Sequence, residues 1–418
     1  MEVKIVVLKI ASRCNLNCSY CYMYNLGDNT YKNQPKLMSK ETIENIYNRI
    51  IEHCEEHNIK NFSIILHGGE PLLAGQKYIE DFVNTGNRMA EGKVNFRYNL
   101  QTNGILLNED IVNSLEKLRI DIGVSLDGPK EVNDKNRFYH NGKGSYDDVI
   151  KGINVLLNNK SYKERTGLLS VMNIDSDPIE SYEHIKSLDL KGGDYLFPYG
   201  TYDNPPIGKT EGTENTYYAD WLIKIFDTWY NEKEETRPSL RLFGDITTSI
   251  LGNDLMADYL GNKNNEVLVI ETDGSMEAVD GLKSCGDGFT KTGANVSSFS
   301  INQALDTPLA KLYHHSHKHL CKQCRLCPIN ETCGGGDLAN RYSSENGFDN
   351  PPIYCSDLEK LISHIQNRII DRLPEQLVEE AGIERLTPEK IQKIRNQNII
   401  EDTAVYTDEL LSHFYAKA

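Results

Sequence analysis

Two periods of apolar residues alternate along the first half of the chain. Lys4–Ile10 is a nearly unbroken apolar run of strand length, and beyond a polar loop Ile43, Ile46, Tyr47, Ile50, Ile51 and Cys54 recur with helical spacing behind Ser39, a good N-cap. Cys54 lies on that apolar stripe and reads as a core thiol. The alternation predicts strand Phe62–His67 ending in GGEP, a helix near Tyr78–Met89, strand Val94–Leu100 ending in QTNG, and a helix near Glu109–Leu118. It continues through strand Asp121–Leu126 ending in DGP, a helix near Tyr146–Leu157, strand Gly167–Asn173, a helix near Pro178–Leu188 and strand Asp194–Pro198. Strands separated by helices predict an α/β protein with a parallel sheet and helical crossovers. The glycine-rich punctuation falls after the strands, the end at which such sheets bind ligands.

Beyond the turn-rich segment Gly200–Asn215, Thr216–Tyr230 and Phe243–Tyr259 read as helices, and the aromatics of the first (Tyr217, Tyr218, Trp221, Phe226, Trp229, Tyr230) read as packing surface. Glu266–Glu271 and Met276–Val279 flank the turn TDGS and predict a hairpin. Leu358–Leu373 and Pro388–Arg395 read as peripheral helices. The expected segments are a parallel-sheet α/β domain over 1–215, a helical linker over 216–264, a cysteine-rich domain over 265–357 and C-terminal helices over 358–418.

Composition narrows the function. At 418 residues the chain exceeds a single typical core, which excludes a disulfide-stapled miniature. No secretory signal pattern or membrane-length apolar run is present, so the expected location is cytoplasmic. The net charge of -16 argues against a general nucleic-acid surface and favours a small molecule or peptide as partner. In that compartment ten cysteines are more naturally metal ligands than disulfides. They fall into two groups, with Cys54 apart.

The first group, Cys14, Cys18 and Cys21 in CNLNCSYC, leaves one thiol over for disulfides and falls one ligand short of structural zinc. Three thiolates suit a [4Fe–4S] cube with one open iron. In the second group, Cys324, Cys327, Cys333 and Cys355 supply four thiolates, enough by count for one cube or one zinc. Gly334, Gly335 and Gly336 allow the backbone to wrap closely around a metal core. The run YHHSHKHLC, with His314, His315, His317 and His319, fits no standard metal spacing and reads as non-ligand.

CNLNCSYC after a first strand, with Gly68, Gly69, Glu70 and Pro71 one strand later, resembles the radical S-adenosylmethionine (SAM) superfamily. The resemblance implies a partial (β/α)6 TIM-like barrel, with Cys14, Cys18 and Cys21 holding a SAM-binding [4Fe–4S] cluster. It implies Tyr20 near the adenine, Gly68, Gly69, Glu70 and Pro71 along SAM, Ser125 and Asp127 toward the ribose, and Arg137 and Asn173 as further contacts. Gln101 and Asn103 would face SAM or substrate. A cellular one-electron reductant is the implied redox partner.

The later cysteines resemble the SPASM iron–sulfur extension, which implies an auxiliary [4Fe–4S] cluster on Cys324, Cys327, Cys333 and Cys355. Where that family usually carries another cysteine this chain has Asp337, so a second auxiliary cluster would draw on Cys285, Cys321 and Asp337. At a finer level HGGEPLL, ETDGSMEAVD, TGANV and CPINETCGGGDLANRY resemble the FxS, GRR and XYE-type maturases of ribosomally made peptides. That likeness implies a precursor-peptide partner and C–H abstraction followed by cyclophane-type cross-linking. Peptide epimerisation or thioether formation is the enzymatic alternative, and a silent peptide-binding or electron-transfer module the non-enzymatic one. For the base, Asp127, Glu271 and Asp273 are the candidates. With only a short lead-in before the first strand, a leader would be held by the barrel mouth, the SPASM region, the C-terminal helices or a separate protein.

Overall fold

The computed structural model describes residues 1–253, 255 and 259–397. The elements relevant here are, in chain order, β1 (Ile5–Ala11), α1 (Lys40–His57), β2 (Asn61–Gly68), α2 (Gln76–Met89), β3 (Asn95–Thr102), α3 (Glu109–Lys117), β4 (Asp121–Ser125), α4 (Lys130–Asn136), α5 (Tyr146–Asn158), β5 (Thr166–Val171), α6 (Pro178–Ser187) and β6 (Gly192–Leu196). They continue with α7 (Tyr217–Asn231), β7 (Ser239–Leu240), α8 (Arg241–Ile250), β8 (Val267–Ile270), β9 (Met276–Glu277), α9 (Ile301–Leu305), α10 (Pro308–His314), α11 (Lys322–Arg325), α12 (Asn330–Cys333), α13 (Cys355–Ile370), α14 (Glu375–Glu380) and α15 (Pro388–Gln397). Two compact units emerge. One comprises 1–173, 183–196 and 266–314; the other comprises 174–182, 197–265 and the described residues from His315 onward.

In the first unit the strands stand in the order β6, β5, β4, β3, β2, β1, β8, β9. Neighbours from β1 through β6 pair in parallel, as do β1 and β8, and β9 turns back antiparallel on β8. This is an open, partial barrel of the radical SAM α/β type. The hairpin expected from TDGS is present, and its first strand extends the barrel sheet. Compactness therefore groups 266–314 with the barrel strands, and 197–215 with the second unit, rather than following the expected segment boundaries.

The elements form for local reasons. Ser39 accepts from Thr42 N and starts α1, Ile43, Ile46, Tyr47, Ile50, Ile51 and Cys54 are buried, and Asn58 stops the helix in the left-handed region. In β2 the alternation of Phe62, Ile64 and Leu66 with half-exposed neighbours puts one face into the core. Between Lys9 and Ala11 the pairing of β1 with β2 slips by one residue. Such a bulge re-aims the chain where the cysteine loop leaves the sheet.

The second unit is helical. Tyr218, Trp221, Phe226 and Trp229 of α7 are buried, the packing role expected for them, and α13 lies against α7, α8 and α15. Segment 200–215 is an ordered loop. Lys209 Nζ donates to the carbonyls of Thr213 and Asn215 and ion-pairs with the fully buried Asp357 at 2.5 Å. The helix expected over Phe243–Tyr259 is observed as Arg241–Ile250, and residues 254 and 256–258 of that expectation lie outside the described residues. So do 398–418 of the C-terminal segment. Among the described residues no helix is long and apolar enough to cross a membrane.

Candidate active site and cysteine centres

Cys14, Cys18 and Cys21 follow β1 on a loop held by backbone bonds from α4 and its exit. Asn17 N donates to Phe138 O at 2.8 Å and Ser19 N to Asn136 O at 2.9 Å, while His140 Nε2 lies 3.1 Å from Cys14 O. Arg13 ties the base of the loop to Tyr31 O at 2.7 Å. Burial pushes the Cys14 thiol up to about 12 and Cys21 up to about 11, and raises Cys18 as well. Desolvated thiols of this kind become stable thiolates when a metal replaces their protons, so the donor set fits an iron–sulfur cluster.

Gly68 and Gly69 bring the end of β2 against this loop. A Cβ on Gly68 (φ +146°) would meet Ala11 O at 2.1 Å, and one on Gly69 would meet Arg13 O at 2.4 Å. The room expected for SAM beside these two glycines is partly used by the protein's own backbone. Gly69 N and Glu70 N donate to Ala11 O and Arg13 O at 2.8 and 3.0 Å. Glu70 is 1% exposed and accepts from Leu72 N (3.0 Å), Thr102 Oγ1 (2.7 Å) and Asn103 N (2.8 Å). Burial raises its carboxyl, opposed by those donors. A carboxylate has about four acceptor positions, which leaves one for a ligand ammonium. Pro71 opens the turn after Glu70 and is buried.

Asn103 reaches the cluster loop, its Nδ2 donating to Asn15 Oδ1 at 2.7 Å and lying 3.8 Å from Cys14 Sγ. Gln101 Nε2 donates to Ser125 Oγ at 2.9 Å, side by side at the ends of β3 and β4. Tyr20 donates to Asp127 Oδ2 at 2.6 Å and accepts from Arg137 Nη1 at 3.0 Å, while Asp127 Oδ1 accepts from Val171 N at 3.1 Å. Burial raises the Asp127 carboxyl, partly offset by Arg137. Arg137 Nε is buried with no protein partner, a donor left for a ligand. Sequence reasoning missed α4, which follows Pro129 and delivers Arg137 at its end. Asn173 lies half-buried at the end of β5.

A further buried polar group went unforeseen. Lys9 of β1, fully buried, ion-pairs with Asp280 just after β9, and Tyr22 of the cluster loop donates to the same carboxylate oxygen at 2.8 Å. His67 Nδ1 lies 3.1 Å from Lys9 Nζ. Burial works against charge on Asp280, and Lys9 overcomes it, holding the carboxyl well below the usual range. Burial and then Lys9 depress His67 to about 3, so it is neutral. The lysine inside KIVVLKIAS was the legible signal, since a buried ammonium requires an anion. Of the base candidates, Glu271 is buried 3.1 Å from Lys283 and Asp273 binds Ser275 N in the hairpin turn.

In the second unit, Cys324, Cys327, Cys333 and Cys355 line one small cavity together with Gly335, Glu359 and Arg395. Gly334, Gly335 and Gly336 are all left-handed (φ +59°, +79°, +64°), a run suited to glycine alone. Their carbonyls all accept from Arg341, at 2.8, 2.7 and 3.0 Å, and Arg341 also takes Ser316 O and His319 O. Burial raises Cys333 to about 12, opposed by the amides of Gly335 and Gly336. Four desolvated thiols again fit a cluster. Cys321 is buried against Cys324, Asp337 Oδ1 accepts from Ala339 N at 2.8 Å, and Cys285 belongs to the first unit. His315 is engaged with Asn264 at 2.8 Å. Among the described residues no three His, Cys, Asp or Glu side chains converge on one ion, a demand that a cube, which spreads its thiolates over separate irons, does not make.

Residues 8–188 match the Radical SAM superfamily. The chain is 27% identical over 375 residues to the cysteine-type anaerobic sulfatase-maturating enzyme of Clostridium novyi (strain NT), covering 87% of this chain and 96% of that protein. It is 25% identical over 380 residues to the protein of the same name from Clostridium perfringens (strain 13 / Type A), covering 88% and 98%. The solved structure of anSMEcpe with bound AdoMet and Cp18Cys peptide superposes with a TM-score of 0.74 at 22% identity, over 88% of this chain and 97% of that one. The protein is an enzyme with the radical SAM fold, and that fold uses SAM with a [4Fe–4S] cluster. The expected membership of the FxS, GRR and XYE-type maturases, and with it cyclophane formation on a ribosomal precursor, is overturned by these end-to-end likenesses. The shared motifs belong to the cofactor machinery, which different substrates have in common, and so carried no information on the substrate.

Proposed function

We propose that the enzyme oxidises a cysteine side chain in a sulfatase-type substrate peptide to Cα-formylglycine. The observation that carries this reading is the end-to-end likeness to proteins named cysteine-type anaerobic sulfatase-maturating enzymes. The solved relative with a bound Cp18Cys peptide supports a peptide as the substrate class.

Cys14, Cys18 and Cys21 would hold the SAM-binding cluster, and Cys324, Cys327, Cys333 and Cys355 one auxiliary cluster. When bound, the first cluster together with SAM and one electron from an external reductant would supply a 5'-deoxyadenosyl radical to take hydrogen from the substrate β-carbon, and the auxiliary cluster would accept the second electron; water then replaces the sulfur, which leaves as hydrogen sulfide. The protein's part is to orient and to move a proton. Glu70, fixed by three donors, offers its free acceptor position to the ammonium of SAM, and the unpaired Nε of Arg137 offers a donor. Asp127, tied to Tyr20 and Val171 N, serves as a fixed wall of the site, which removes it from the candidates for the base. Asp280 takes that role in our reading: Lys9 and Tyr22 both bind its Oδ2 and keep it ionised, which leaves Oδ1 to receive a proton, whereas both oxygens of Asp127 are engaged. Asp337 is engaged as a turn cap and Cys321 is packed on Cys324, so the assignment here is confined to the one auxiliary cluster.

The test is incubation of anaerobically reconstituted enzyme, SAM and reductant with a cysteine-containing sulfatase peptide. Mass spectrometry and aldehyde capture are expected to report replacement of CH2–SH by CHO. Accumulation of 5'-deoxyadenosine with the peptide unchanged, or a cross-linked peptide that retains its sulfur, would sink the proposal.

A further inference from the structure

Helix α15 lies in the part of the chain with the least diagnostic sequence, yet it contributes a charge to the four-cysteine cavity. Thr387 accepts from Lys390 N at its start, Pro388 occupies the first turn, and fully buried Ile391 anchors the helix on α13. One turn later Arg395 enters the cavity lined by Cys324, Cys327, Cys333 and Cys355. Its side chain is 12% exposed and its Nη1 lies 2.8 Å from Oε1 of Glu359, itself 11% exposed. Glu359 sits one turn after Cys355 on α13, with Oε1 3.5 Å from Cys355 Sγ.

Here the Cys355 thiol donates to Glu359; once a cluster replaces that proton the arrangement sets an anion against a thiolate, which is unfavourable in a desolvated site unless a cation joins them. Arg395 is that cation, and its Nη1 is buried without a well-aligned acceptor. A cluster on four thiolates is already anionic when oxidised and gains one more negative charge when reduced. A nearby guanidinium therefore favours the reduced form, and hydrogen bonds and charge beside the sulfurs are established means of setting cluster potentials.

We propose that Arg395 is a positioning residue of the auxiliary centre: its guanidinium neutralises Glu359 and raises the cluster's reduction potential, making it a better electron acceptor. The inference rests on the reading of these four cysteines as a cluster site.

The experiment is an EPR-monitored redox titration with dithionite on the full-length reconstituted chain. It carries Cys14→Ala, Cys18→Ala and Cys21→Ala so that only the auxiliary centre reports. Arg395→Gln is expected to lower the reduced-to-oxidised ratio at a fixed potential about tenfold, a shift of about 59 mV for one electron. Glu359→Gln should shift the ratio the opposite way, and Arg395→Lys should recover part of the loss. Unchanged potentials in both Arg395→Gln and Glu359→Gln, with iron and sulfide still bound, would overturn the proposal. Should Arg395→Gln fail to retain its cluster, Glu359→Gln decides the matter by the same criterion. Iron content that does not fall in Cys327→Ala would instead remove the cluster reading itself, a failure distinguishable from the first.

Discussion

Cys14, Cys18 and Cys21 stand on a loop that other segments grip by its backbone from outside, through Asn136, Phe138 and Tyr31. Cys324 and Cys333 stand on two short helices with Cys327 between them, and the glycine turn that follows is gripped from within, where one buried guanidinium gathers five carbonyls. The first centre has three thiols and, beside them, an acceptor position on Glu70 and an unpaired Arg137 Nε. The second has four thiols and closes its edge with the pair Glu359 and Arg395. The first site thus has free polar positions beside three thiols, and the second a charged pair beside four.

Removing a thiol from each site breaks the comparison most sharply. Cys18→Ala is expected to abolish 5'-deoxyadenosine formation, whereas Cys327→Ala should lose the auxiliary iron and the formylglycine product yet still cleave SAM, both read by chromatography of the nucleoside. Next in size, Asp280→Asn should lower product formation by about 100-fold or more, the loss typical of a general base, with 5'-deoxyadenosine release retained. Loss of both together would instead make Asp280 part of the cofactor site.

Arg341→Ala tests the inward grip. Leaving buried carbonyls without donors costs about 1–3 kcal/mol for each unsatisfied group. The variant should therefore lose auxiliary iron while the first cluster and SAM cleavage remain, as iron analysis and nucleoside release would report.

The smallest effect concerns His67. Its folded-state pKa is depressed to about 3, so stability present above the unfolded value, about 6.5, is lost as pH falls toward 3. His67→Asn should flatten the fall in denaturation midpoint between about pH 6.5 and 4 and leave the midpoint near pH 8 less changed. An unaltered acid slope would show that His67 is not the titrating group.

The barrel strands were legible because buried strands and crossover helices write different periods into the chain, and each expected strand from Lys4–Ile10 to Asp194–Pro198 has its counterpart. Both cysteine groups could also be read, since thiols at these spacings have few other uses. Helix α4 was not, because six of its seven residues are polar and Val132 alone makes no apolar stripe. The union of β8 with β1 was equally hidden: it joins residues more than 250 positions apart, and local pattern does not encode long-range pairing.

By itself the sequence determined the α/β alternation, the three-thiol loop and the four-thiol group, since periodicity and ligand chemistry are properties of short segments. Tertiary structure alone decided that Lys9, Tyr22 and Asp280 share one buried site, that Asp127 is tied up by Tyr20 and a backbone amide, and that Arg395 meets Glu359 beside Cys355. Those are charge relations between distant segments, and a buried charge acquires its meaning only from the partner that folding brings to it.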